Sequence, residues 1–349
     1  MPTPQVREVN AFVTTVLEHP TGKALVTELA DGRKRLQAIP TNRNLFVQRT
    51  TCKTRYPLDL IQTILDVKEI GSLCDEISRD EDPTYVQRDL ELGLLSYVSA
   101  SAFEGKRILD FGCGSGASTS VLARMFPESH IVGTELSKEF LAVARQRLQY
   151  YGLSNVNLSH SPSGTDLQEG IGAFDFIILS AVFEHLLPQE REILVPKLWS
   201  VLKEDGYLFI NQTPNRLWLI ENHTTGLPLL NYAPNWLALE AARRCRFGPA
   251  KRYSPDSSWE FLLREGIRGG TKDEILTYLT NDSYSPVSLE PCRLGFRDNI
   301  DLWYSSSVPR GKRPVKAIMK GVYKAIKKAT NLDLSPWLTL AFKKARTTR

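Results

Sequence analysis

The chain predicts an α/β fold, a largely parallel sheet with helices on both faces, and three stretches carry that prediction. Residues 107–111 are a short apolar run that passes through Gly112, Gly114 and Gly116 into a helical pattern with Val121, Leu122 and Met125. His130–Glu135 is a second short strand, ending on a carboxylate 19 residues after Gly116. Residues 174–186 read as an apolar strand of the kind buried on both faces of a parallel sheet.

Taken in order, residues 1–80 read as a helical, irregular extension, with helices expected over 6–17, 23–36 and 57–77. A further helix opens on Asp82 as cap and Pro83, with Val86, Leu90, Leu94 and Val98 on one stripe, and either covers the sheet or helps to form an acceptor site. The glycines of the following loop let backbone approach a ligand closely, and the helix start beyond them offers free N–H groups and a positive dipole end. Asp110, at the strand's carboxyl end, is placed to accept from a ligand ammonium. In a nucleotide-binding sheet an acid at position 135 grips both ribose hydroxyls, and Leu136 lies against the base. Ser137 caps the next helix, whose stripe is Phe140, Leu141, Ala144 and Leu148, with Gly152 ending it. Residues 202–211 read as a helix end, a turn at Asp205-Gly206 and another buried strand.

The loop itself reads Asp110-Phe111-Gly112-Cys113-Gly114-Ser115-Gly116, a D-x-G-x-G-x-G pattern. A dinucleotide oxidoreductase would show G-x-G-x-x-G instead. With the strand ending at Glu135, the apolar strand running into Glu184-His185 and the strand over 206–211, it resembles the class I S-adenosylmethionine-dependent methyltransferases. The likeness is to their ubiquinone-biosynthesis-like branch and spans residues 106–215, about a third of the chain. The resemblance implies a Rossmann-like seven-stranded sheet and S-adenosylmethionine as cofactor. It implies cofactor contacts from Asp110, Phe111, Gly112, Cys113, Gly114, Gly116, Glu135, Leu136, Ser180 and Ala181. Where the family commonly has an aspartate for the adenine amino group, this chain offers Ser161, Ser163 or a backbone group. The sulfonium is already activated, so no metal is expected.

For the acceptor, Glu184 and His185 have two readings, a general base facing the substrate or a cap and packing pair that shapes the cofactor pocket. The loop after the fifth strand, residues 211–234, supplies Asn215, Arg216, Trp218, Glu221 and His223 as acceptor-site candidates, with His223 a further candidate for catalysis. It reads equally as a structured connection. A helical insertion over 212–285 is expected to form a lid, and residues 286–306 the last antiparallel strands. The domains are thus expected at 1–80, 81–308 and 309–349.

The composition, 42% hydrophobic and 24% charged, is ordinary for a globular protein, and five scattered cysteines without a C-x-x-C pair argue for a reducing compartment. Neither a leader-like apolar run in residues 1–30 nor a membrane-span-length run is visible, so a cytoplasmic location is expected. Residues 310–349 hold 12 Lys or Arg against the single acid Asp333, a charge of +11, which leaves −6 on the rest and speaks against a nucleic-acid footprint there. In that tail Val315, Ile318, Met319, Val322, Tyr323 and Ile326 share one helix face and Lys316, Lys320, Lys324, Lys327 and Lys328 the other. With the apolar segment 336–342, this suits contact with an anionic membrane; packing on the domain and nucleic-acid binding are the alternatives. The function these readings converge on is O-methylation of a sugar, glycan or lipid-linked envelope precursor, with a small metabolite such as a quinone or natural product as the alternative acceptor and nucleic acid as the next.

Overall fold

The computed structural model describes residues 14–42, 45–246, 248–280, 283–306 and 313–346, and the chain divides after Glu81 into two compact units. The first unit corrects the helical expectation. It is a four-stranded antiparallel sheet of β1 (Thr14–His19), β2 (Gly22–Glu28), β3 (Lys34–Pro40) and β4 (Thr51–Thr54), followed by α1 (Leu58–Glu81). Buried Ala24 and Val26 on β2 and Leu36 and Ala38 on β3 alternate with exposed neighbours, a period of two that a helix cannot use. The Asp31-Gly32 turn, with Gly32 at φ 75°, reverses the chain between β2 and β3. Residues 6–13 of the first expected helix lie outside the described residues. Helix α1 packs on β3 and β4 and buries Leu60, Ile61, Ile64 and Leu65, and its backbone leaves helical geometry at Glu69.

The second unit is built on a seven-stranded sheet in the order β10-β11-β9-β8-β5-β6-β7. Its strands are β5 (Arg107–Phe111), β6 (His130–Glu135), β7 (Val156–His160), β8 (Phe174–Ser180), β9 (Leu202–Pro214), β10 (Tyr284–Leu289) and β11 (Trp337–Arg346). Strands β5 to β9 pair in parallel, while β11 runs antiparallel between β9 and β10. Because successive side chains point to opposite faces, the apolar runs feed two cores. Leu109, Ile177, Leu179, Leu208 and Ile210 meet α5 (Pro188–Val201) and α8 (Lys272–Leu279). Ile108, Phe176, Ile178 and Phe209 meet α2 (Arg88–Leu95), α3 (Ala117–Met125) and Phe103. Helix α4 (Lys138–Tyr150) lies against β6 and β7. The insertion after β9 is helical as expected, with α6 (Asn235–Arg244) and α7 (Trp259–Arg264) sharing a small core of Ala238, Ala242, Leu262 and Ile267.

Two expectations for the last hundred residues are overturned. Residues 300–304 belong to a helix, α9 (Asn299–Ser306), because Asp298 Oδ1 accepts from the Asp301 N–H at 2.8 Å and starts a helical turn. The segment 336–342 is no surface anchor: Leu338, Leu340, Ala341 and Phe342 are buried as part of β11. The final domain therefore includes the tail instead of ending before it.

Helix α10 (Arg313–Thr330) turns Lys316, Lys320, Lys324 and Lys327 inward and leaves Lys328 exposed, and residues 309–312 lie outside the described residues. Lys320 pairs with Asp301 at 2.7 Å, Lys324 with Asp298 and Asp301 at 3.3 and 2.7 Å, and Lys327 with Glu290 at 3.1 Å. Lys316 Nζ donates to the carbonyls of Trp303 and Tyr304 at 2.8 and 3.1 Å, 4.5 Å from the Trp303 ring centroid. Tyr323 and Met319 pack with Trp303, while Val315, Ile318 and Val322 face outward. Asp298 just before α9, Asp301 within it and Glu290 just after β10 hold these ammonium groups, so the apolar stripe is what remains exposed. No helix among the described residues is long and apolar enough to cross a membrane.

Truncating the chain after residue 330 removes the strand that joins β10 to β9. We expect loss of a cooperative thermal transition by near-ultraviolet circular dichroism; a melt within a few degrees of the full chain contradicts the role of β11. Burial pulls the Lys316 ammonium down from 10.5 to about 8. Between those values the unfolded chain holds more protons than the folded one, so the contribution of Lys316 to unfolding free energy rises with pH across that window. The difference in melting temperature between wild type and Lys316→Met should therefore shift in favour of wild type from pH 8 to 10; a flat difference contradicts it.

Candidate functional site

The carboxyl ends of β5, β6, β8 and β9 open on one edge of the sheet, where open parallel sheets bind ligands. The three glycines of the β5–α3 loop all have positive φ, 70°, 55° and 82°, which L side chains adopt only with strain. Two of them are also required for packing. A Cβ on Gly112 would lie 2.8 Å from the Val182 side chain, and one on Gly116 2.7 Å from Ala144 Cβ. A Cβ on Gly114 meets nothing within 4 Å, so this is the glycine that faces open space.

The loop is held from three sides. Asp110 Oδ2 accepts from the hydroxyls of Ser118 and Thr119 at 2.8 and 2.6 Å, tying the strand end to the start of α3. Glu135 Oε2 accepts from Gly114 N–H at 2.9 Å, and its Oε1 from Leu136 and Ser137 N–H at 2.8 and 2.9 Å. From below, the fully buried Arg147 of α4 donates to the carbonyl of Ser115 at 2.9 Å and to its hydroxyl at 3.3 Å. The Phe111 and Cys113 side chains point into the protein, so only their backbone reaches the loop surface. Burial first, and the charges of Asp110 and Glu135 next, push the Cys113 thiol well above its usual value and keep it protonated.

Beside this loop the structure fits the remaining cofactor candidates to different degrees. Leu136 is about half exposed, free to lie against a flat ligand face. Ser161 N–H donates to the Glu135 carbonyl at 2.9 Å, and its buried hydroxyl has no hydrogen-bond partner, whereas the Ser163 hydroxyl is engaged by Asp166 at 2.8 Å. Ser180 ends β8, and Ala181, at φ 54°, donates its N–H to the Asn211 carbonyl at 2.9 Å.

Past β8 the chain makes a short turn, Phe183–His185, that brings Glu184 and His185 against His223. Glu184 is buried; its Oε2 accepts from the Thr213 hydroxyl at 3.0 Å, while Oε1 has no hydrogen-bond partner. His185 Nδ1 lies 2.6 Å from the Arg264 carbonyl and His223 Nδ1 3.0 Å from the Glu265 carbonyl, and the two ring centroids are 5.4 Å apart. Burial above all pulls His223 below the ordinary imidazole value, against the opposing pull of the Glu184 charge.

The other acceptor candidates are not gathered there. Asn215 Nδ2 donates to the carbonyls of Asp333 and Ser335 at 2.9 and 2.8 Å, and its Oδ1 accepts from Leu217 N–H. The Glu221 carboxylate is buried and accepts from the backbone of His223, Thr224 and Thr225 and from both threonine hydroxyls. Trp218 meets the Tyr323 ring edge-on at 5.5 Å. These three shape the loop, and Arg216 stands exposed. Residues the sequence did not single out are Ser118, Thr119, Arg147, Thr213 and Gly266. A Cβ on Gly266 would lie 2.7 Å from His223 Nδ1. Of these only Ser118 and Thr119 carry a local signal, hydroxyls in the first turn after a glycine loop.

Residues 108–206 match a family model described as a methyltransferase domain. The chain carries a class I S-adenosylmethionine-dependent methyltransferase domain. An uncharacterized protein of Rickettsia prowazekii is 28% identical over 156 residues, covering 42% of this chain and 62% of that protein. A trans-aconitate 2-methyltransferase of Variovorax paradoxus is 34% identical over 113 residues, covering 32% of this chain and 40% of that enzyme. An amino pentose methyltransferase of Micromonospora echinaspora, solved with S-adenosylmethionine bound, is 28% identical with a TM-score of 0.29, covering 35% of this chain and 50% of that one. The chain spans between 25% and 62% of the length of the curated relatives first matched. The methyltransferase domain's cofactor is S-adenosylmethionine, and the open face at Gly114, the unpartnered Ser161 hydroxyl and the half-exposed Leu136 fit it.

The glycines separate packing from ligand approach. Gly116→Ala should cost about 2–4 kcal/mol in urea denaturation, from a strained φ plus overpacking against Ala144, and Gly114→Ala about 1–2 kcal/mol from φ alone. Equal losses would contradict the division.

Proposed function

We propose that the protein methylates a hydroxyl of a small polar acceptor, of the sugar, glycan or lipid-linked precursor class, at the edge formed by the glycine loop and the Glu184–His185–His223 cluster. One observation carries the reading: the cluster follows β8, the parallel neighbour of β5, so acceptor-activating groups and the cofactor loop open on the same sheet edge. Bound S-adenosylmethionine would supply an electrophilic methyl with a neutral thioether as its leaving group.

Glu135 would hold the ribose diol. A carboxylate offers about four acceptor sites, and three are taken by backbone N–H groups, so two hydroxyls require one of these bonds to open. The Gly114 bond is the candidate, since that residue has open space beside it. Ser161 and Leu136 would meet the adenine, and backbone of the 112–116 loop the methionyl end. Asp110, committed to Ser118 and Thr119, would act on the amine by its charge and by fixing the loop. Ser180 and Ala181 would line the space between cofactor and acceptor. An imidazole of the cluster whose Nδ1–H is held by a backbone carbonyl presents Nε2 as the base for the acceptor proton. Alignment and exclusion of water meet much of the remaining barrier.

The exposed stripe of Val315, Ile318 and Val322 supports a peripheral contact with a lipid surface, where a lipid-linked acceptor would reside. A second reading, a small metabolite as acceptor, is supported by the likeness to trans-aconitate methyltransferases.

Supplied with methyl-labelled cofactor and fractionated cell extract, the protein should label a polar saccharide or lipid-linked pool. Label in organic acids or quinones favours the second reading, and label in none overturns both. Glu135→Ala should weaken S-adenosylhomocysteine binding by calorimetry about tenfold, and unchanged affinity removes Glu135 from the ribose.

A further inference from the structure

We propose that Glu184, His185 and His223 form a binding site for one divalent transition-metal ion of zinc-like ligand preference. The inference rests on the reading of this cluster as the acceptor-activating centre and puts an ion in the place of the imidazole base. One ring nitrogen of each histidine and a carboxylate oxygen of Glu184 lie within 4.8 Å of one another. Each imidazole has its Nδ1 against a backbone carbonyl, Arg264 for His185 and Glu265 for His223, which places the ring proton on Nδ1 and leaves Nε2 as a lone pair. Glu184 Oε1 is buried without a hydrogen-bond partner, 3.9 Å from His185 Nε2 and so beyond hydrogen-bond reach. Glu184 Oε1 and His185 Nε2 thus face one another with no proton between them, and a ring nitrogen of His223 belongs to the same cluster, an arrangement that costs free energy unless a cation sits there.

The donor set matches the proposed ion. Two imidazoles and one carboxylate suit zinc and its first-row neighbours, whereas magnesium and calcium prefer oxygen ligands. Around an ion with ligands at about 2.0–2.2 Å, donor atoms stand roughly 3.4 Å apart, so the cluster must close by about an ångström. His185, the most exposed of the three at 41% of its side chain, has the freedom to supply that movement. The outer partners are in place: the two carbonyls orient the rings, and the Thr213 hydroxyl holds Glu184 Oε2 at 3.0 Å. Gly266 keeps the wall thin, since any Cβ there would press on His223 and, at 3.1 Å, on Glu184 Cγ. Three protein ligands leave a position open, which would take an oxygen of the acceptor. With the ion bound, the imidazoles are ligands, not bases, and the ion lowers the pKa of the coordinated hydroxyl, whose proton passes to solvent.

The test uses the full chain stripped with a chelator and titrated with Co(II), following the visible d–d absorption. Wild type should bind one Co(II) per chain with the strong spectrum of a four- or five-coordinate ion, displaced by Zn(II). His185→Ala, His223→Ala and Glu184→Gln should each weaken binding by at least about tenfold. Calorimetry with S-adenosylhomocysteine on the same preparations reports whether the cofactor cleft survives each substitution. A wild-type spectrum no stronger than that of the hydrated ion overturns the site, as does wild-type affinity in His185→Ala, whose exposed ring can be removed without emptying the core. Tight Co(II) binding without any S-adenosylhomocysteine binding upholds the metal site and overturns the methyl-transfer reading instead.

Discussion

The working edge of this protein depends on one carboxylate. Glu135 ends β6 and accepts three backbone N–H groups, one of them from Gly114 across the neighbouring loop. Charge-assisted hydrogen bonds of this kind are the stronger ones, and here they set how far the glycine loop stands from the strand beside it. The same side chain is the ribose candidate, so the group that holds the site closed is also the one a ligand would have to engage. Arg147 and Asp110 brace the loop from its other sides, which confines the adjustable contact to Gly114.

The acceptor side follows a different logic. Its polar residues divide into those that build the loop after β9, Asn215 and Glu221 above all, and those left facing a common space, Glu184, His185 and His223. A buried carboxylate fully occupied by five donors is structure, whereas one with an oxygen left over is a demand for something else. Glu221 and Glu184 are both nearly fully buried, and only Glu184 keeps an oxygen without a hydrogen-bond partner.

The glycine loop and the strand and helix beside it were legible in the sequence because their signals are local. Glycine spacing, an acid at a strand end and a serine cap act within a few residues, and Gly112, Gly114, Gly116, Glu135 and Ser137 all stand where those rules put them. The first unit was misread because its strands are short and only half buried, so the alternation of Ala24 and Val26 competed with charged residues that also suit a helix. The tail was misread for a second reason. Helical periodicity shows which residues share a face of α10 but not which face meets the protein, and Asp298, Asp301 and Glu290 decided that in favour of the lysines. Long-range partners such as Gly266 beneath His223 leave no trace in nearby residues.

The antiparallel strand β11 pairs with β9 from a position about 120 residues further along the chain, and β10 has no other neighbour in the sheet. Until it arrives, β9 is a bare margin of a half-built sheet and β10 is a stray segment. Contacts of such sequence separation form late and slow the approach to the native state, and a waiting margin of this kind is open to other chains. The newly synthesised polypeptide therefore passes through a sticky interval whose length is set by the insertion of its last strand, and shielding by a chaperone has most to offer during that interval.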